Sequence, residues 1–270
     1  MKVYGLIGEK LGHSLSPRIH QSLFKKANIH ATYGLFEVEQ HTATQVVAAM
    51  KTLGIQGLNV TIPYKKVILE HVDHLSEEAL KIGAVNTLYN DGCEVWGYNT
   101  DYRGFGSILK EGGIEPRGKS FYVLGAGGAA KSIVWYLKDH GAEVILVTRD
   151  TEKATLSFAN AEIAIITYEQ LETIDLSYGI INTTPVGMFP NIEKSPIKNK
   201  MIEKFEIAID IVYNPEETLF LRQAKEAGLK TFGGLWMLVA QAIESERIWQ
   251  QTPFEIRYEK EIYKEVRGCI

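Results

Sequence analysis

The segment Ser120-Phe-Tyr-Val-Leu-Gly-Ala-Gly-Gly-Ala-Ala130 joins a short apolar strand to a turn with the pattern G-x-G-x-x-A. Helical spacing continues over 128–140, and a second apolar strand follows over 143–148. Glycines at such a turn let a pyrophosphate approach the backbone amides at the start of the helix. The turn could serve close packing alone, but the strand before it and the helix and strand after it favour a dinucleotide-binding unit.

The residues that end the second strand normally distinguish the two nicotinamide dinucleotides. An acidic residue there binds the ribose diol of NAD, whereas an arginine accommodates the 2′-phosphate of NADP. This chain reads Val147-Thr-Arg-Asp-Thr151, so Arg149 and the hydroxyl groups beside it favour NADP. Asp150 opposes this assignment because a carboxylate repels a phosphate, and Arg149 could also be a solvated surface residue.

Strand-like and helix-like stretches alternate on both sides of the glycine loop. From the loop to residue 232 the alternation predicts a parallel sheet with helices on both faces. The first hundred residues alternate similarly, and 234–266 predicts two more helices. We therefore predict an α/β protein with two domains. These are an N-terminal α/β substrate domain, residues 1–101 plus 233–270, and a Rossmann-type doubly wound dinucleotide domain, residues 102–232.

Composition excludes several classes of protein. The 270 residues suffice for two modest domains, and 29 basic against 33 acidic residues give no overall attraction to nucleic acid or an anionic membrane. No apolar run approaches the ~18 residues that span a bilayer, and Glu9 and Lys10 interrupt the N-terminal apolar run, so no signal peptide is expected. Cys93 and Cys269 form no C-x-x-C motif, so we expect no disulfide, no zinc site and a reducing, cytoplasmic compartment.

Two hydroxyl side chains, Ser14 and Ser16, stand at a predicted helix start, Ser16-Pro17. Hydroxyl groups together with free amides at a helix start suit a carboxylate or a phosphate. N-capping of the helix by Ser16 would explain that serine alone. It leaves Ser14 without an explanation.

The stretch Asn59-Val-Thr-Ile-Pro-Tyr-Lys65 ends a predicted strand with polar side chains. Asn59 and Thr61 share one side of the strand. The proline predicts the start of a helix, which places Lys65 in the first turn, where the helix dipole disfavours a cation. A lysine in such a position is a candidate for proton transfer. The alternative is an exposed surface lysine, which we expect the adjacent Lys66 to be.

Two more segments end in polar residues, Gly83-Ala-Val-Asn-Thr87 and Gly97-Tyr-Asn-Thr-Asp101. Polar side chains at several strand ends suggest a hydroxyl-rich ligand at the carboxyl edge of the sheet. Asp101 could instead only cap the helix that follows it. Gln241, within the apolar stretch Leu235–Ile243, could be a satisfied core amide.

The sequence argues against a metal site and against a serine hydrolase. His71-Val-Asp-His74 contains two histidines, but no further histidine or cysteine has matching spacing, so we expect no metal site. The chain has no G-x-S-x-G motif, which argues against a serine hydrolase.

Along essentially its whole length the chain resembles shikimate dehydrogenases. The motifs that carry the resemblance are His13-Ser-Leu-Ser-Pro17, Asn59-Val-Thr-Ile-Pro-Tyr-Lys65, Gly83-Ala-Val-Asn-Thr87, Asn99-Thr-Asp101, Gly125-Ala-Gly-Gly-Ala129, Asn182-Thr-Thr-Pro-Val-Gly187, Asp210-Ile-Val-Tyr-Asn-Pro215 and Met237-Leu-Val-Ala-Gln-Ala242. Each is short, and their number and order make the match specific.

The resemblance implies reversible reduction of 3-dehydroshikimate to shikimate with NADPH, in aromatic amino-acid biosynthesis and without a metal. Lys65 would transfer the proton, paired with Asp101, and both would contact the substrate. The other implied substrate contacts are Ser14, Ser16, Thr61 and Tyr213 at the carboxylate and Asn59, Asn86 and Gln241 at the hydroxyl groups. The implied cofactor contacts are Gly125, Ala126, Gly127, Gly128, Ala129, Thr148, Arg149 and Lys153, with Ile211 and Gly234 near the nicotinamide and Glu77 in the cofactor region. We expect small-molecule partners only, no nucleic acid or membrane, and a monomer or homodimer.

Three alternatives remain open. Shikimate dehydrogenases usually read Asn-Arg-Thr where this chain reads Thr148-Arg149-Asp150, so a quinate/shikimate dehydrogenase that uses NAD is the first. A one-carbon folate dehydrogenase has a similar two-domain build but would not need Ser14 and Ser16. A non-catalytic nucleotide-binding regulator would not need both Lys65 and Asp101.

Overall fold

The computed structural model describes residues 1–12, 14–252, 254 and 256–268, apart from the side chains of residues 256 and 257. His13 and Cys269, named above, lie outside the described residues. The chain divides into two compact units. The first unit contains Met1–Gly104 and the described residues of 239–268, and the second unit contains Phe105–Leu238.

Strands and helices alternate through most of the chain. The strands are β1 (Lys2–Gly8), β2 (Ala31–Glu37), β3 (Gly57–Val60), β4 (His74–Leu75), β5 (Thr87–Asn90), β6 (Val95–Tyr98), β7 (Ser120–Leu124), β8 (Glu143–Val147), β9 (Ala164–Ile166), β10 (Ser177–Asn182), β11 (Phe205–Asp210) and β12 (Lys230–Gly233). The α-helices are α1 (Ser16–Lys26), α2 (Val46–Leu53), α3 (Glu77–Ile82), α4 (Thr100–Glu111), α5 (Gly128–Asp139), α6 (Thr151–Ser157), α7 (Tyr168–Leu171), α8 (Asn199–Ile202), α9 (Leu219–Glu226), α10 (Gly234–Gln250) and α11 (Ile256–Arg267). Short 3-10 helices cover Gln40–Gln45, Ile68–His71 and Ala159–Ala161.

The first unit contains a mixed six-stranded sheet with the order β2-β1-β3-β5-β6-β4. β1 pairs in parallel with β2 and β3, whereas β5 runs antiparallel to both β3 and β6. One apolar core includes Met50, Leu58 and Ile68, and an aromatic cluster around Tyr4 and Trp249 forms another. β3, buried along its whole length, carries Asn59 into this interior.

The second unit contains a six-stranded sheet with the order β12-β11-β10-β7-β8-β9, in which every neighbouring pair is parallel. Read from β9 and renumbered within the unit, this is the order 3-2-1-4-5-6 of doubly wound dinucleotide-binding folds. The central strands β10 and β11 are buried over their last four residues, as expected for a parallel sheet covered on both faces. The predicted α/β class with a doubly wound Rossmann-type sheet is confirmed. Such sheets bind ligands outside the carboxyl ends of the strands where the order reverses, here between β7 and β10.

The α-helix that the sequence predicts from Pro63 is wrong. Residues 62–67 form turns that lead into the 3-10 helix Ile68–His71. The carbonyl oxygen of Lys65 accepts from the amide of Val85 at 2.8 Å, which ties this turn to the segment before β5. The Tyr64 side chain is buried in the core and fixes the turn. Lys65 therefore extends from a turn that distant parts of the chain hold in place.

Candidate active site

The two residues predicted for proton transfer form an ion pair within the first unit. Lys65 Nζ donates to Asp101 Oδ2 at 2.6 Å, and the two side chains are 20% and 12% exposed. Asp101 is the second residue of α4, so the alternative that it only caps this helix is wrong. The carboxylate sits in the first helical turn, where the dipole favours negative charge. An ammonium has three donors, so this bond orients Lys65 and leaves donor capacity for a ligand.

Three predicted substrate residues, Asn59, Asn86 and Gln241, belong to one buried polar cluster of the same unit. Asn86 Oδ1 accepts from the backbone amide of Thr100 at 2.7 Å. Thr100 Oγ1 in turn lies 3.4 Å from Gln241 Oε1. Because Thr100 immediately precedes Asp101, the cluster adjoins the ion pair along α4.

The cluster also contains Thr87, Thr100 and Ser245, three residues that were not predicted as site residues. Ser245 Oγ donates to the carbonyl of Gln241 at 3.0 Å and lies 2.9 Å from Asn59 Nδ2 and 3.0 Å from Thr87 Oγ1. A signal for Ser245 existed, because it follows Gln241 by four residues on a helix and so shares its face. Thr87 and Thr100 lie inside the matched motifs but read there as ordinary strand-end and helix-start residues.

Ser14 and Ser16 lie together at the start of α1. The N-cap of this helix is Leu15, whose side chain makes no capping hydrogen bond, so the predicted N-capping by Ser16 is wrong. Ser16 is instead the first helical residue, and Ser14 Oγ accepts from its backbone amide at 3.2 Å. The two hydroxyl groups therefore stand beside a helix N-terminus that no N-cap side chain satisfies, a suitable environment for an anion.

Thr61 and Glu77 occupy separate positions in the first unit. Thr61 follows β3, and its amide donates to the carbonyl of Ile7 at 3.0 Å. Glu77 is exposed and begins α3, whose N-cap Ser76 accepts from the amide of Ala79 at 3.1 Å. An acidic residue in a first helical turn is favourable in itself, so the position of Glu77 has a structural explanation that involves no cofactor.

The glycine loop of the second unit has room for a bound group. Gly125 has φ +97°, a conformation that side chains other than hydrogen disfavour, and an added β-carbon would lie 2.8 Å from Thr184 Cγ2. An added β-carbon at Gly127 or Gly128 would meet no atom within 4 Å. Gly127 is the N-cap of the 12-residue helix α5 and offers no side chain to its amides. Open space above uncapped amides fits a dinucleotide pyrophosphate. Ala126 and Ala129 are half-buried in the same loop.

The end of β8 carries Thr148, which is buried, and Arg149, which is exposed. Asp150 Oδ1 accepts from the backbone amide of Lys153 at 3.0 Å and is the N-cap of α6. This bond gives the carboxylate a structural task and directs one of its oxygens to the helix. Burial raises the pKa of Tyr168, and the nearby positive charge of Arg149 acts against that rise.

Two residues predicted near the nicotinamide, Ile211 and Gly234, lie against each other in the second unit. An added β-carbon on Gly234 would lie 2.1 Å from the carbonyl oxygen of Ile211, so only glycine fits. Tyr213 is half-buried two residues further on, and burial raises its pKa. The three residues thus share the segment that follows β11 and its contact with the start of α10.

Asp210, the last residue of β11, fixes the segment 211–213 through buried hydrogen bonds. It was not predicted as a site residue. It is fully buried, and its carboxylate accepts from Asn182 Nδ2 at 3.0 Å, Thr218 Oγ1 at 2.7 Å and the amide of Val212 at 3.0 Å. Burial raises its pKa to about 6, and the three hydrogen bonds only partly offset the desolvation. The carboxylate joins the ends of β10 and β11 to the start of α9.

One histidine of the pair set aside above, His74, has structural contacts. His74 Nε2 lies 2.8 Å from Glu94 Oε2, and the ring stacks on Trp96 with centroids 4.3 Å apart. Within the part of the chain that the structure describes, no group of three or more His, Cys, Asp or Glu side chains could hold a metal ion. Among the same residues, no helix combines the length and apolar character needed to cross a membrane.

Comparison with known proteins decides the family. Residues 6–88 match the model of the shikimate dehydrogenase substrate binding domain. Over 268 residues, 99% of each chain, the protein is 49% identical to the shikimate dehydrogenase (NADP(+)) of Clostridium perfringens strain ATCC 13124. The chain belongs to the shikimate dehydrogenase family.

Solved structures of shikimate dehydrogenases share this fold over the whole chain. A chorismate mutase/shikimate 5-dehydrogenase fusion protein from Clostridium acetobutylicum matches with a TM-score of 0.96 and 42% identity, covering 100% of this chain and 98% of that one. Shikimate 5-dehydrogenase from Thermus thermophilus, solved with NADP(H) and shikimate, matches with a TM-score of 0.89 and 30% identity, covering 98% and 99%. This similarity to shikimate dehydrogenases extends through both units.

Proposed function

We propose that this protein catalyses the reversible, NADPH-dependent reduction of 3-dehydroshikimate to shikimate, a step of aromatic amino-acid biosynthesis. The observation that carries the proposal is the ion pair of Lys65 and Asp101, 2.6 Å apart, in a chain 49% identical to a shikimate dehydrogenase (NADP(+)). A non-catalytic relative would have no need for an oriented ammonium beside a polar cluster.

The first unit is the substrate domain in this proposal. Ser14 and Ser16 bind the substrate carboxylate, supported by their place at a helix N-terminus whose N-cap, Leu15, offers no side-chain acceptor, with Thr61 at the end of β3. Asn59, Asn86, Asp101 and Gln241 bind its hydroxyl groups, supported by their burial and mutual hydrogen bonds. The assignment of Tyr213 to the carboxylate and of Glu77 to the cofactor region remains a prediction of the family resemblance.

The hydrogen bonds of the cluster restrict how Asn59 can bind. Its Nδ2 lies 2.9 Å from Ser245 Oγ and 3.1 Å from Thr87 Oγ1, so both amide hydrogens have acceptors within the protein. Its Oδ1 accepts from Tyr33 and has a second lone pair. Asn59 therefore meets a substrate hydroxyl as an acceptor, and the substrate O–H is the donor.

Lys65 is the proton-transfer group of the proposed reaction. When bound, NADPH supplies the hydride that reduces the substrate carbonyl. The carbonyl oxygen becomes an alkoxide, and an ammonium within hydrogen-bond reach stabilises that charge and donates the proton. Asp101 holds Lys65 Nζ in place and stabilises its positive charge before the proton leaves.

The second unit is the NADP-binding domain in this proposal. Gly125, Gly127 and Gly128, with Ala126 and Ala129, hold the pyrophosphate above the start of α5, where no β-carbon obstructs it. Thr148, Arg149 and Lys153 bind the 2′-phosphate, and the engagement of Asp150 as a helix N-cap supports this choice. Ile211 and Gly234 contact the nicotinamide. We further propose that the protein acts in the cytoplasm, as a monomer or a homodimer.

A spectrophotometric assay tests the proposal. The purified protein is mixed with shikimate and NADP⁺, and the absorbance of the reduced nicotinamide is followed. Parallel reactions replace shikimate by quinate and NADP⁺ by NAD⁺. We expect the highest kcat/KM with shikimate and NADP⁺. A higher value with NAD⁺ or with quinate supports the quinate/shikimate alternative, and no reduction with any pair refutes a dehydrogenase of this class.

A further inference from the structure

The first unit buries three polar side chains to which the proposed function gives no role, His20, Tyr33 and Glu246. His20 and Glu246 are fully buried, and Tyr33 is 4% exposed. His20 Nδ1 lies 2.6 Å from Glu246 Oε1, and the His20 ring stacks on the Tyr33 ring with centroids 4.1 Å apart and 6° between the planes. Burying a polar side chain costs free energy that an apolar side chain at the same position would not cost.

The pair of His20 and Glu246 has a defined hydrogen-bond direction. Glu246 accepts from Gln250 Nε2 at 3.0 Å as well as from the imidazole. Among the described residues, His20 Nε2 has no hydrogen-bond partner although it is buried. A bare nitrogen lone pair is less costly there than an unpaired N–H, so we assign the hydrogen to Nδ1, where it is donated to Glu246. This bond holds the imidazole ring in the plane that stacks on Tyr33.

Tyr33 connects this stack to the proposed substrate site. Its hydroxyl donates to Asn59 Oδ1 at 2.8 Å, and the side chain of Ser16 interacts with the same hydroxyl. Burial holds the pKa of Tyr33 well above its ordinary value, so the phenol keeps its proton and remains a donor. A donor fixed at Oδ1 determines which end of the Asn59 amide faces Tyr33. The Nδ2 end must then face Ser245 and Thr87.

We propose that Tyr33 is a positioning residue, which fixes the orientation of the Asn59 amide so that an oxygen lone pair faces a substrate hydroxyl. The proposal rests on the proposed function, since it concerns the same substrate. Without the Tyr33 hydroxyl the amide keeps its two Nδ2 contacts but loses its only described donor at Oδ1, so the oxygen is held less firmly and its lone pair is less well aimed at the substrate hydroxyl. The stacked His20 ring holds the Tyr33 ring in the position from which its hydroxyl reaches Asn59 Oδ1.

Tyr33→Phe tests this inference, because it removes one oxygen atom and keeps the stacked ring. Tyr4→Phe is a matched control. Tyr4 is buried in the same aromatic cluster, stacks on Trp249 with centroids 4.8 Å apart, and accepts from Gln250 Nε2 at 3.1 Å. Its hydroxyl contacts none of the proposed substrate residues in the described hydrogen bonds. Both variants lose one buried hydroxyl, so a general loss of packing would affect them alike.

We expect Tyr33→Phe to raise the KM for shikimate about 5- to 10-fold, the worth of one net hydrogen bond. The KM for NADP⁺ should stay within about twofold of the wild-type value, and Tyr4→Phe should change neither constant. The decisive measurement repeats Tyr33→Phe in an Asn59→Ala background, with shikimate affinity measured by calorimetry. Because Tyr33 acts through Asn59, the second substitution should then cost no further affinity.

Two results would overturn the inference. The first is an unchanged KM for shikimate in Tyr33→Phe, and the second is an equal loss of affinity with and without Asn59. If Asn59→Ala fails to fold, as shown by its thermal transition, the same comparison of Tyr33→Phe is made in an Asn59→Ser background, where a further loss of shikimate affinity equal to that in the wild-type background overturns the inference. Failure of the proposed function is separate, because the wild-type protein would then show no turnover of shikimate at all.

Discussion

The buried carboxylate of Asp210 makes the stability of the second unit depend on pH. Its pKa rises from 3.8 to about 6 in the folded protein because burial disfavours the charged form. At about 1.4 kcal/mol for each pKa unit, this rise corresponds to about 3 kcal/mol. The folded state binds the proton more tightly than the unfolded state, so the contribution is fully present below about pH 4 and is lost as the pH rises through about 6.

Asp210→Asn removes this titration while keeping the size of the side chain. We expect the difference in free energy of unfolding between wild type and variant to change by about 2 to 3 kcal/mol from about pH 4 to about pH 7, in favour of the variant at the higher pH. Thermal and urea unfolding over this pH range measure the difference. Asp175→Asn, an exposed position of the same unit, is the control and should show no such change. A difference for Asp210→Asn that is constant with pH refutes the reasoning.

Three further predictions concern the proposed site. Lys65→Ala should lower kcat about 10²- to 10⁴-fold with a much smaller change in KM. Lys66 is an exposed neighbour, and Lys66→Ala should match wild type in steady-state kinetics. A kcat within a few-fold of wild type for Lys65→Ala would show that Lys65 is not the proton-transfer group. Ser14→Ala should weaken shikimate binding about 10- to 100-fold and leave NADP⁺ binding unchanged; an equal loss for both ligands in calorimetric titration would indicate a role in folding instead. Arg149→Ala should raise the KM for NADP⁺ and hardly change that for NAD⁺, and Asp150→Thr should sharpen the preference for NADP⁺; an equal effect of Arg149→Ala on both cofactors would contradict phosphate recognition.

Local signals sufficed for the fold of the second unit. The turn from Gly125 to Gly128 predicts a strand before it and a helix after it, and this unit is typical of doubly wound sheets with the strand order found here. The same reasoning failed at Lys65, because its carbonyl is engaged by Val85, twenty residues later in the chain. The local preference of proline for a helix start is overridden here by a contact with Val85, in the segment between α3 and β5, which no local pattern near Pro63 encodes.

Site residues that lie within short motifs could be predicted from the sequence. Site residues that are recognised only by a contact with a distant part of the chain could not. Lys65 and Asp101 each stand out as charges at element ends, and the structure places them together. Ser245 contacts Asn59 across 186 residues of sequence, and no local pattern encodes that contact. The sequence places Ser16 correctly at the start of α1 but misassigns the cap, since the choice between adjacent residues depends on backbone dihedral angles.

The hydrogen bond between Asp150 and the amide of Lys153 limits how this chain can change its cofactor preference by mutation. Loss of the carboxylate removes a negative charge near the proposed phosphate site, but it also removes the N-cap of α6. Replacement of an N-cap by alanine costs about 0.5–2 kcal/mol, whereas serine, threonine and asparagine still cap. Variants with these three residues can therefore bind the phosphate more tightly without weakening the helix. Most other replacements lower the stability of α6. The need for an N-cap therefore limits which substitutions at residue 150 can change the cofactor preference during evolution.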